Sequence, residues 1–266
     1  MPDKQTIAIL GCGWLGLPLA KALLAEGYTV KGSTTAAGKL PHLQDAGIAP
    51  YLVSLSEKGI TGSVAGFLEG AGVLIIDVPP KVKGGESYPG KMRHLIPYVT
   101  NAKIGKVLLV SSTSVYADDN SIVTEDTRPN PDSESGKQLL EAEMLLKMAL
   151  PETTVLRFGG LFGGDRHPVF HLAGRENLAA PDAPVNLIHR DDCIGIIKAI
   201  IQKQAWGQVF NGVAPAHPTR KEYYTAKAAE LGLENPKFDH AEVLAGKIVT
   251  SANIHGVLGY AYKKSL

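Results

Sequence analysis

Short apolar runs alternate with segments of helical periodicity over the first 158 residues of the chain. The runs have the length of strands buried on both faces and lie at 6–10, 28–32, 50–54, 73–77, 106–111 and 154–158. Between them, apolar residues recur at helical spacing near 14–26, 60–69, 90–103 and 136–149. Strands that alternate with helices predict βαβ units and a parallel sheet covered by helices on both sides.

The rhythm changes after residue 158, where glycine and proline become frequent in FGGLFGGDRHPVF and LAAPDAPVN. Two further strands are expected at 185–188 and 208–211, and two further helices at 191–204 and 219–231. We therefore expect a larger unit at 1–158, completed by strands from 185–211, and a smaller region formed mainly by 159–266.

Composition and charge are ordinary for a globular protein: 266 residues, 44% hydrophobic, 20% charged and a net charge of +1. So small a net charge argues against nucleic acid or an anionic membrane as the main partner, because both are bound by basic surfaces. No apolar stretch is long enough to span a bilayer. The N-terminus lacks the apolar core of a secretory signal, so we expect a cytoplasmic protein. Cys12 and Cys193 form no metal or redox pattern, which predicts two buried thiols and no metal site.

A glycine cluster comes directly after the first expected strand. Gly11, Gly13 and Gly16 have G-x-G-x-x-G spacing at the point where a helix begins. The first glycine allows a tight turn, the second lets a pyrophosphate approach the backbone, and the third lets the helix lie close to the strand. The N–H groups of Trp14 and Leu15 would then face phosphate at the positive end of the helix. The sequence predicts a dinucleotide-binding α/β protein: a doubly wound parallel sheet (Rossmann fold) with a small C-terminal substrate-side region.

The end of the second strand bears on the choice between NAD and NADP. NAD sites usually carry an acid there to bond the ribose 2′-hydroxyl. This chain has Ser33, Thr34 and Thr35 instead, followed by Lys39. Hydroxyl groups can bond a 2′-phosphate and Lys39 can neutralise it, although Lys39 can equally be a solvated surface lysine. We therefore expect NADP, with NAD possible.

Three later segments have the order and spacing of motifs in one known family. SSTSVYADD (111–119) looks like its S-S-x-x-V-Y-G segment. LRFGGLFGGDRHP (156–168) and NLIHRDDCIGII (186–197) look like its R-x-x-x-x-Y-G-P-x-R and I-H-x-D-D segments. Together with the glycine loop, they resemble the extended short-chain dehydrogenase/reductase family, the NAD-dependent epimerase/dehydratase group. The similarity covers essentially the whole chain and is closest to a short, atypical branch assigned as nucleoside-diphosphate-sugar epimerases.

The resemblance implies roles for several residues. The family's catalytic Ser or Thr corresponds to Ser112, whose hydroxyl would hydrogen-bond a substrate carbonyl or alcohol beside the nicotinamide. Ser111 would lie near the nicotinamide ribose, and Val78, Pro79 and Pro80 would line the cofactor site. The glycine-rich segment 81–90 is either a lid over the cofactor or an ordinary connection.

The family's catalytic Tyr-Lys pair is missing at the corresponding helix. Members normally read S-x-Y-G-x-S-K-x-x-x-E, where the Lys lowers the pKa of the Tyr. Here the ungapped match puts Ser135 at the Tyr position and Leu139 at the Lys position. A shifted match that uses Lys137 puts Ser133 at the Tyr position. Serine cannot replace tyrosine as an acid near neutral pH.

Two functional classes therefore stay open. One is hydride-transfer chemistry on a sugar nucleotide or small carbonyl compound, with Tyr88, Tyr116 or His189 as a non-standard acid/base and Arg166 holding a substrate phosphate. A structural role is expected for each of these three residues, and Arg166 can instead pair with Asp165. The other class is a non-catalytic NAD(P)-binding sensor or regulator. A remote alternative is a β-hydroxyacid-dehydrogenase-like enzyme, which requires a long all-helical second domain. A homodimer is also possible.

Overall fold

A computed structural model describes residues 5–80, 85–239 and 246–266. Its strands carry the apolar runs seen in the sequence and add several short ones. They are β1 (Thr6–Leu10), β2 (Thr29–Thr34), β3 (Ala49–Ser56), β4 (Gly59–Gly62), β5 (Val73–Ile76), β6 (Lys106–Ser112), β7 (Ile122–Val123), β8 (Thr153–Phe158), β9 (Gly160–Phe162), β10 (Leu187–His189), β11 (Val209–Gly212) and β12 (Ile248–Val249).

The helices lie between these strands. They are α1 (Gly16–Ala25), α2 (Leu40–Asp45), α3 (Val64–Leu68), α4 (Tyr88–Asn101), α5 (Glu134–Ala149), α6 (Arg190–Lys203), α7 (Arg220–Glu230) and α8 (Ala252–Gly256). Across the described residues, no helix combines the length and the apolar character needed to cross a membrane.

The main sheet has the strand order β11-β8-β6-β5-β1-β2-β3-β4. Every neighbouring pair in it is parallel except β3 and β4. The chain extends the sheet from β1 through β2 to β3, and later from β5 to the opposite edge. The order thus reverses between β1 and β5, and a crevice at the carboxyl ends of these strands is where such sheets bind ligands. The predicted doubly wound parallel sheet is confirmed.

Both faces of the sheet are covered, which explains why its central strands are apolar throughout. Ile7 and Ile9 of β1 pack in one core with helices α1 and α6. Ala8 and Leu10 face the other core, with helices α4 and α5. Alternate residues of one strand therefore serve two cores, as expected for a parallel strand buried on both sides.

The predicted helix at 60–69 is wrong over its first part. Residues Gly59–Gly62 form β4, which pairs antiparallel with β3, and only Val64–Leu68 are helical. Gly62 has φ +92°, and a Cβ there would lie 2.0 Å from the Leu52 carbonyl oxygen. The hairpin therefore depends on glycine at a close approach of two backbones. The short helix α2 was not predicted either.

The C-terminal part contributes both to the sheet and to a separate layer. Strand β11 pairs with β8 and forms an edge of the main sheet, whereas β10 pairs with β9 in a small two-stranded sheet. The layer around β9 and β10 has its own core, in which Phe162, Val185 and Leu187 pack with Tyr223 and Tyr224 of α7. This mixed layer differs from the long all-helical second domain that a β-hydroxyacid-dehydrogenase-like enzyme requires.

Candidate functional site

The three glycines of the loop between β1 and α1 have different surroundings: two are in close backbone contacts and one borders open space. Gly11 has φ +108°, and a Cβ there would lie 2.4 Å from the Asp77 carbonyl oxygen. A Cβ on Gly16 would lie 2.1 Å from the Gly11 carbonyl oxygen. At Gly13, a Cβ would meet no described atom within 4 Å. The first and third glycines are therefore required by the fold, whereas the second borders open space.

Ser33 at the end of β2 holds this loop in place. Its hydroxyl accepts a hydrogen bond from the Gly11 N–H (2.9 Å), and its carbonyl accepts one from the Cys12 N–H (2.8 Å). Ser33 as a residue is 2% exposed. One lone pair of the Ser33 hydroxyl is thus used within the protein, while Thr35 and Lys39 next to it are exposed.

A cavity of 410 Å³ opens beside the loop at the carboxyl end of the sheet. The structure brings together here most of the residues expected to bind the cofactor, namely Gly11, Gly13, Ser33, Thr34, Thr35, Lys39, Val78 and Pro79. The cavity lies at the point where the strand order reverses, so its position fits a dinucleotide. The other expected cofactor residues lie outside its lining: Trp14, Leu15, Gly16, Pro80 and Ser111.

Asp77 is a cavity residue that sequence reasoning missed. Its carboxylate accepts a hydrogen bond from the Gly16 N–H, and burial raises its pKa from 3.8 to about 7. The charge of Asp77, after burial itself, helps to raise the pKa of the Cys12 thiol to about 12. The thiol is therefore protonated at neutral pH and unreactive. Both cysteines are buried, as predicted.

Lys91 and Glu86 also line this cavity and were not anticipated. The Lys91 ammonium group is 2.5 Å from the Glu86 carboxylate, and Lys91 is 5% exposed as a residue. Lys91 lies on α4, whose periodicity indicates only a core-facing helix. Its place in the cavity results from the packing of α4 beside β3.

Ser111 takes part in a buried polar network instead of facing the cavity. Its hydroxyl donates to Glu143 (2.6 Å) on helix α5. Arg157 on β8 donates to both oxygens of that carboxylate, at 3.2 and 2.6 Å, and to the Tyr116 hydroxyl at 2.7 Å. Hydrogen bonds and charge from Glu143 raise the pKa of Arg157 against the opposing effect of burial. The network joins β6, β8 and α5 beneath the carboxyl end of the sheet.

Ser112 is the last residue of β6. Its hydroxyl accepts a hydrogen bond from the Ser114 N–H (3.1 Å), and the residue is partly buried. The start of α5 packs against this turn, because a Cβ on Gly136 would lie 2.2 Å from the Ser114 carbonyl oxygen. The loop-to-helix segment PDSESG therefore lies close to the strand end that carries Ser112.

Helix α5 carries no tyrosine. Ser133 caps the helix, since its hydroxyl accepts from the Gly136 N–H at 3.1 Å. Leu139 is 3% exposed and packs in the core with β5 and α4. Ser135 is partly buried and Lys137 is exposed. The helix therefore packs against the sheet, and it carries Ser135 and Leu139 at the positions that correspond to the family's catalytic Tyr and Lys.

The two candidate tyrosines are buried and engaged in hydrogen bonds. Tyr88 is fully buried and its hydroxyl donates to the Val78 carbonyl oxygen (2.9 Å). The Tyr116 hydroxyl lies 3.0 Å from both the Thr124 carbonyl oxygen and Asn211 Oδ1. Burial raises the pKa of both tyrosines. These contacts favour structural roles. Residues 81–84 of the possible lid lie outside the described residues.

His189 and Arg166 each lie beside the glycine turn 163–164. The Nδ1 atom of His189 accepts from the Asp191 N–H (3.1 Å) and so caps helix α6. A Cβ on Gly163 would lie 2.7 Å from Nε2 of His189. The Arg166 guanidinium group is 5.1 Å from the ring centre of Trp14. The glycine loop and the substrate-side region are therefore in contact at Trp14.

Comparison with known proteins places the chain among recognised relatives. Protein YeeZ of Escherichia coli K12 is 37% identical over 267 residues, which covers 97% of this chain and 96% of YeeZ. A Methylobacillus flagellatus protein with the provisional name NAD-dependent epimerase/dehydratase superimposes with a TM-score of 0.81 at 27% identity. That match covers 98% of this chain and 93% of the other. No protein-family model matches the chain.

A more distant structure shares the fold. The UDP-glucuronic acid 4-epimerase of Bacillus cereus, solved in complex with NAD, superimposes with a TM-score of 0.80. It is 19% identical, and the match covers 98% of this chain and 92% of that protein. At this identity, the similarity shows the arrangement of strands and helices alone.

Proposed function

We propose that this chain, which belongs to the family of Protein YeeZ within the extended short-chain dehydrogenase/reductase superfamily of epimerase/dehydratase-like proteins, binds NADP in the cavity beside its glycine loop. NAD is the weaker alternative ligand. The observation that carries the proposal is the open position at Gly13, next to a cavity at the reversal of strand order. The NAD complex of the Bacillus cereus epimerase, a protein of the same fold, supports a dinucleotide.

The preference for NADP rests on the residues at the end of β2 and in the loop beyond it. Thr34, Thr35 and Lys39 line the cavity where NAD-binding proteins carry an acid. Lys39 is exposed, and no ion pair or hydrogen bond of its side chain occurs among the described residues. An unpaired ammonium group beside two hydroxyl groups suits a 2′-phosphate.

The reaction is hydride transfer at a carbinol or carbonyl carbon of a sugar nucleotide or a small carbonyl compound. When held beside the glycine loop, the dinucleotide would supply the hydride acceptor or donor. The Ser112 hydroxyl at the end of β6 would donate its proton in a hydrogen bond to the reacting oxygen, because no described residue accepts that proton. Arg166 and His189 form the substrate side. Since His189 Nδ1 accepts a hydrogen bond, its proton in the neutral ring lies on Nε2.

A sensor without catalysis is the second candidate function. It is favoured by two observations: α5 has no tyrosine, and the hydroxyl groups of Tyr88 and Tyr116 form hydrogen bonds inside the protein. In this case the cofactor binds and no hydride is exchanged. The proposal also includes a cytoplasmic location and a homodimer, for which fractionation and light scattering are the direct measurements.

The test of binding uses a substitution that the fold tolerates. Calorimetric titration should give a lower Kd for NADPH than for NADH. Gly13→Ala should keep the thermal stability of the protein, because the added methyl group meets no described atom within 4 Å. The same methyl group should obstruct the pyrophosphate and weaken binding about tenfold or more. A stable variant that binds NADPH as well as the parent would contradict the proposed site.

The test of catalysis monitors NADPH absorbance in two directions: NADP+ with UDP-glucose or UDP-glucuronic acid should form NADPH by oxidation of an alcohol, and NADPH with simple aldehydes should be consumed by reduction of the carbonyl. Hydride transfer in either direction that depends on Ser112 supports the enzyme. Tight binding without hydride exchange in any of these mixtures supports the sensor.

A further inference from the structure

Two arginines from separate segments converge on Trp14 of the glycine loop. The Arg166 guanidinium carbon is 5.1 Å from the Trp14 ring centre, and that of Arg190 is 5.0 Å away. Arg166 comes after β9, and Arg190 is the first residue of α6. Cation–π attraction to the indole accounts for part of this arrangement. It places two guanidinium groups against one indole ring, just before the first turn of helix α1.

Neither charge is neutralised by a described carboxylate. Arg166 makes no ion pair with its neighbour Asp165, and Arg190 makes none within the part of the chain that the structure describes. The acids nearest in sequence have other partners. Asp191 approaches His189 and Lys264, each at 3.6 Å. Asp192 accepts hydrogen bonds from the Tyr260 hydroxyl and from the backbone of the C-terminal segment.

Polar atoms in this cluster also lack partners. Nε1 of Trp14 and Nε of Arg190 are buried without a hydrogen bond among the described residues. A buried donor without a partner is unfavourable, so the protein atoms alone leave this cluster incompletely satisfied. Gly164 makes room for the arrangement. It has φ +62°, and a Cβ there would lie 3.1 Å from an Arg190 guanidinium nitrogen.

We infer that Arg166 and Arg190, held against the Trp14 indole, bind the diphosphate group of a nucleotide at the start of helix α1. The inference deepens the proposed function and rests on it, since it assumes that a nucleotide occupies the glycine loop. A guanidinium group pairs with two phosphate oxygens at once, which a lone N–H cannot do. The helix N-terminus adds its positive end to the same anion. The diphosphate belongs either to the dinucleotide or to a sugar nucleotide bound beside it.

The experiment uses Trp14 as its own reporter. Trp206→Phe removes the other tryptophan of the chain, so that the remaining fluorescence comes from Trp14. In this background, inorganic pyrophosphate, ADP-ribose and UDP-glucose are titrated at low salt. Each should change the Trp14 emission, and adenosine should bind without needing the arginines. Arg166→Gln and Arg190→Gln should each raise the Kd of pyrophosphate about tenfold, as expected for a lost charge-assisted hydrogen bond.

Arg175→Gln is the matched control, because Arg175 is an exposed arginine of the same region whose side chain bonds only weakly to a carbonyl (3.5 Å). It should leave every Kd unchanged, and thermal melts should show all variants folded. The nucleotide arms identify the source. If the arginine variants raise the Kd of ADP-ribose, the two arginines bind the diphosphate of the dinucleotide. If they raise the Kd of UDP-glucose measured in the presence of saturating NADPH, the two arginines bind the diphosphate of the substrate.

The outcomes separate the two proposals. Unchanged Kd values for pyrophosphate, ADP-ribose and UDP-glucose in both arginine variants would overturn the diphosphate site and leave cofactor binding intact. Failure of the unsubstituted protein to bind NADPH or NADH would overturn the proposed function. In that event, the pyrophosphate titration still decides whether Arg166 and Arg190 hold a diphosphate.

Discussion

The Asp77 carboxylate accepts a hydrogen bond from the backbone N–H of Gly16, at the first turn of helix α1. The same turn is where a nucleotide phosphate would be bound by free N–H groups. A carboxylate at this place competes with an anion when it is ionised, and does so far less when it is protonated. Burial raises the pKa of Asp77 to about 7, so both forms are populated near neutral pH.

Nucleotide affinity is therefore expected to fall as pH rises. A bound diphosphate favours protonated Asp77, and each unit above the pKa of about 7 should weaken NADH binding by up to about tenfold. NADH is the proper ligand, because its diphosphate does not titrate between pH 6 and 8. Calorimetry across this range should show the slope, and Asp77→Asn should remove it. An equal slope in the variant would assign the pH dependence to another group.

The same group affects stability in a defined direction. The pKa of Asp77 is higher in the folded chain, at about 7, than its ordinary value of 3.8. The folded state therefore binds an extra proton between these values, and the stability that protonation supplies is lost as pH rises through about 7. Asp77→Asn should be the more stable form at pH 8 and should show little advantage at pH 4. Urea unfolding at the two pH values measures the difference.

Lys39 and Thr34 should decide between the two dinucleotides. Lys39→Gln should raise the Kd of NADPH about tenfold and leave that of NADH unchanged, because only NADPH carries the 2′-phosphate. Thr34→Asp should weaken NADPH further and favour NADH, since an acid at the end of β2 repels the phosphate and bonds the free hydroxyl. Lys21→Gln, at an exposed lysine of α1, is the control. An equal increase in Kd for both cofactors would show that Lys39 does not distinguish a 2′-phosphate from a 2′-hydroxyl.

The sequence predicts the central fold well because each signal is local. VLII (73–76) is uniformly apolar, and β5 is buried on both faces. The turn at Gly11 and the close packing at Gly16 are expected from the spacing of the loop. β4 escaped prediction because a four-residue segment with glycine at both ends has no periodicity of its own. Its pairing with β3 is a tertiary contact.

The site could be predicted only in part, for the same reason. The loop, Ser33 and Lys39 lie in continuous segments whose spacing is readable. Asp77 reaches Gly16 because β5 lies next to β1 in the sheet. The order of the strands in the sheet could not be predicted from the sequence. An acid that directly ends an apolar strand, as in VLIID, is the one signal that pointed to it. The contact of Arg190 with Trp14 joins residues far apart along the chain, and no local pattern reveals it.

The Glu143–Arg157 pair should contribute strongly to the free energy of unfolding. Both residues are largely buried, at 3% and 5% exposure, and the ion pair measures 2.6 Å. Glu143→Gln leaves the Arg157 charge uncompensated, which should cost about 3–5 kcal/mol. Ser111→Ala removes one neutral donor to the same carboxylate and should cost about 1–2 kcal/mol. Chemical denaturation measures both, and a loss under about 1 kcal/mol for Glu143→Gln would contradict the structural role.

Leu139→Lys tests whether the family's catalytic lysine can be restored. The Leu139 side chain packs in the core below α5, so a lysine there loses apolar contacts and buries an amine. We expect a loss of roughly 2–5 kcal/mol in the free energy of unfolding, and no gain in cofactor affinity. Leu139→Met, which keeps volume and polarity, should cost under about 1.5 kcal/mol. A stable lysine variant with tighter NADPH binding would instead place this position beside the cofactor.

Ser112→Ala separates the enzyme from the sensor. The hydroxyl accepts a hydrogen bond from the Ser114 N–H and donates to no described residue, so its proton is available to a substrate oxygen. Its loss should lower kcat about 100-fold while the Kd of NADPH stays the same, because the side chain acts on the substrate and not on the dinucleotide. Ser112→Thr keeps the hydroxyl group and should restore most of the activity. Ser114→Ala leaves the donating N–H in place and is the control. Equal turnover in Ser112→Ala and the parent would remove Ser112 from the mechanism, whatever cofactor the protein binds.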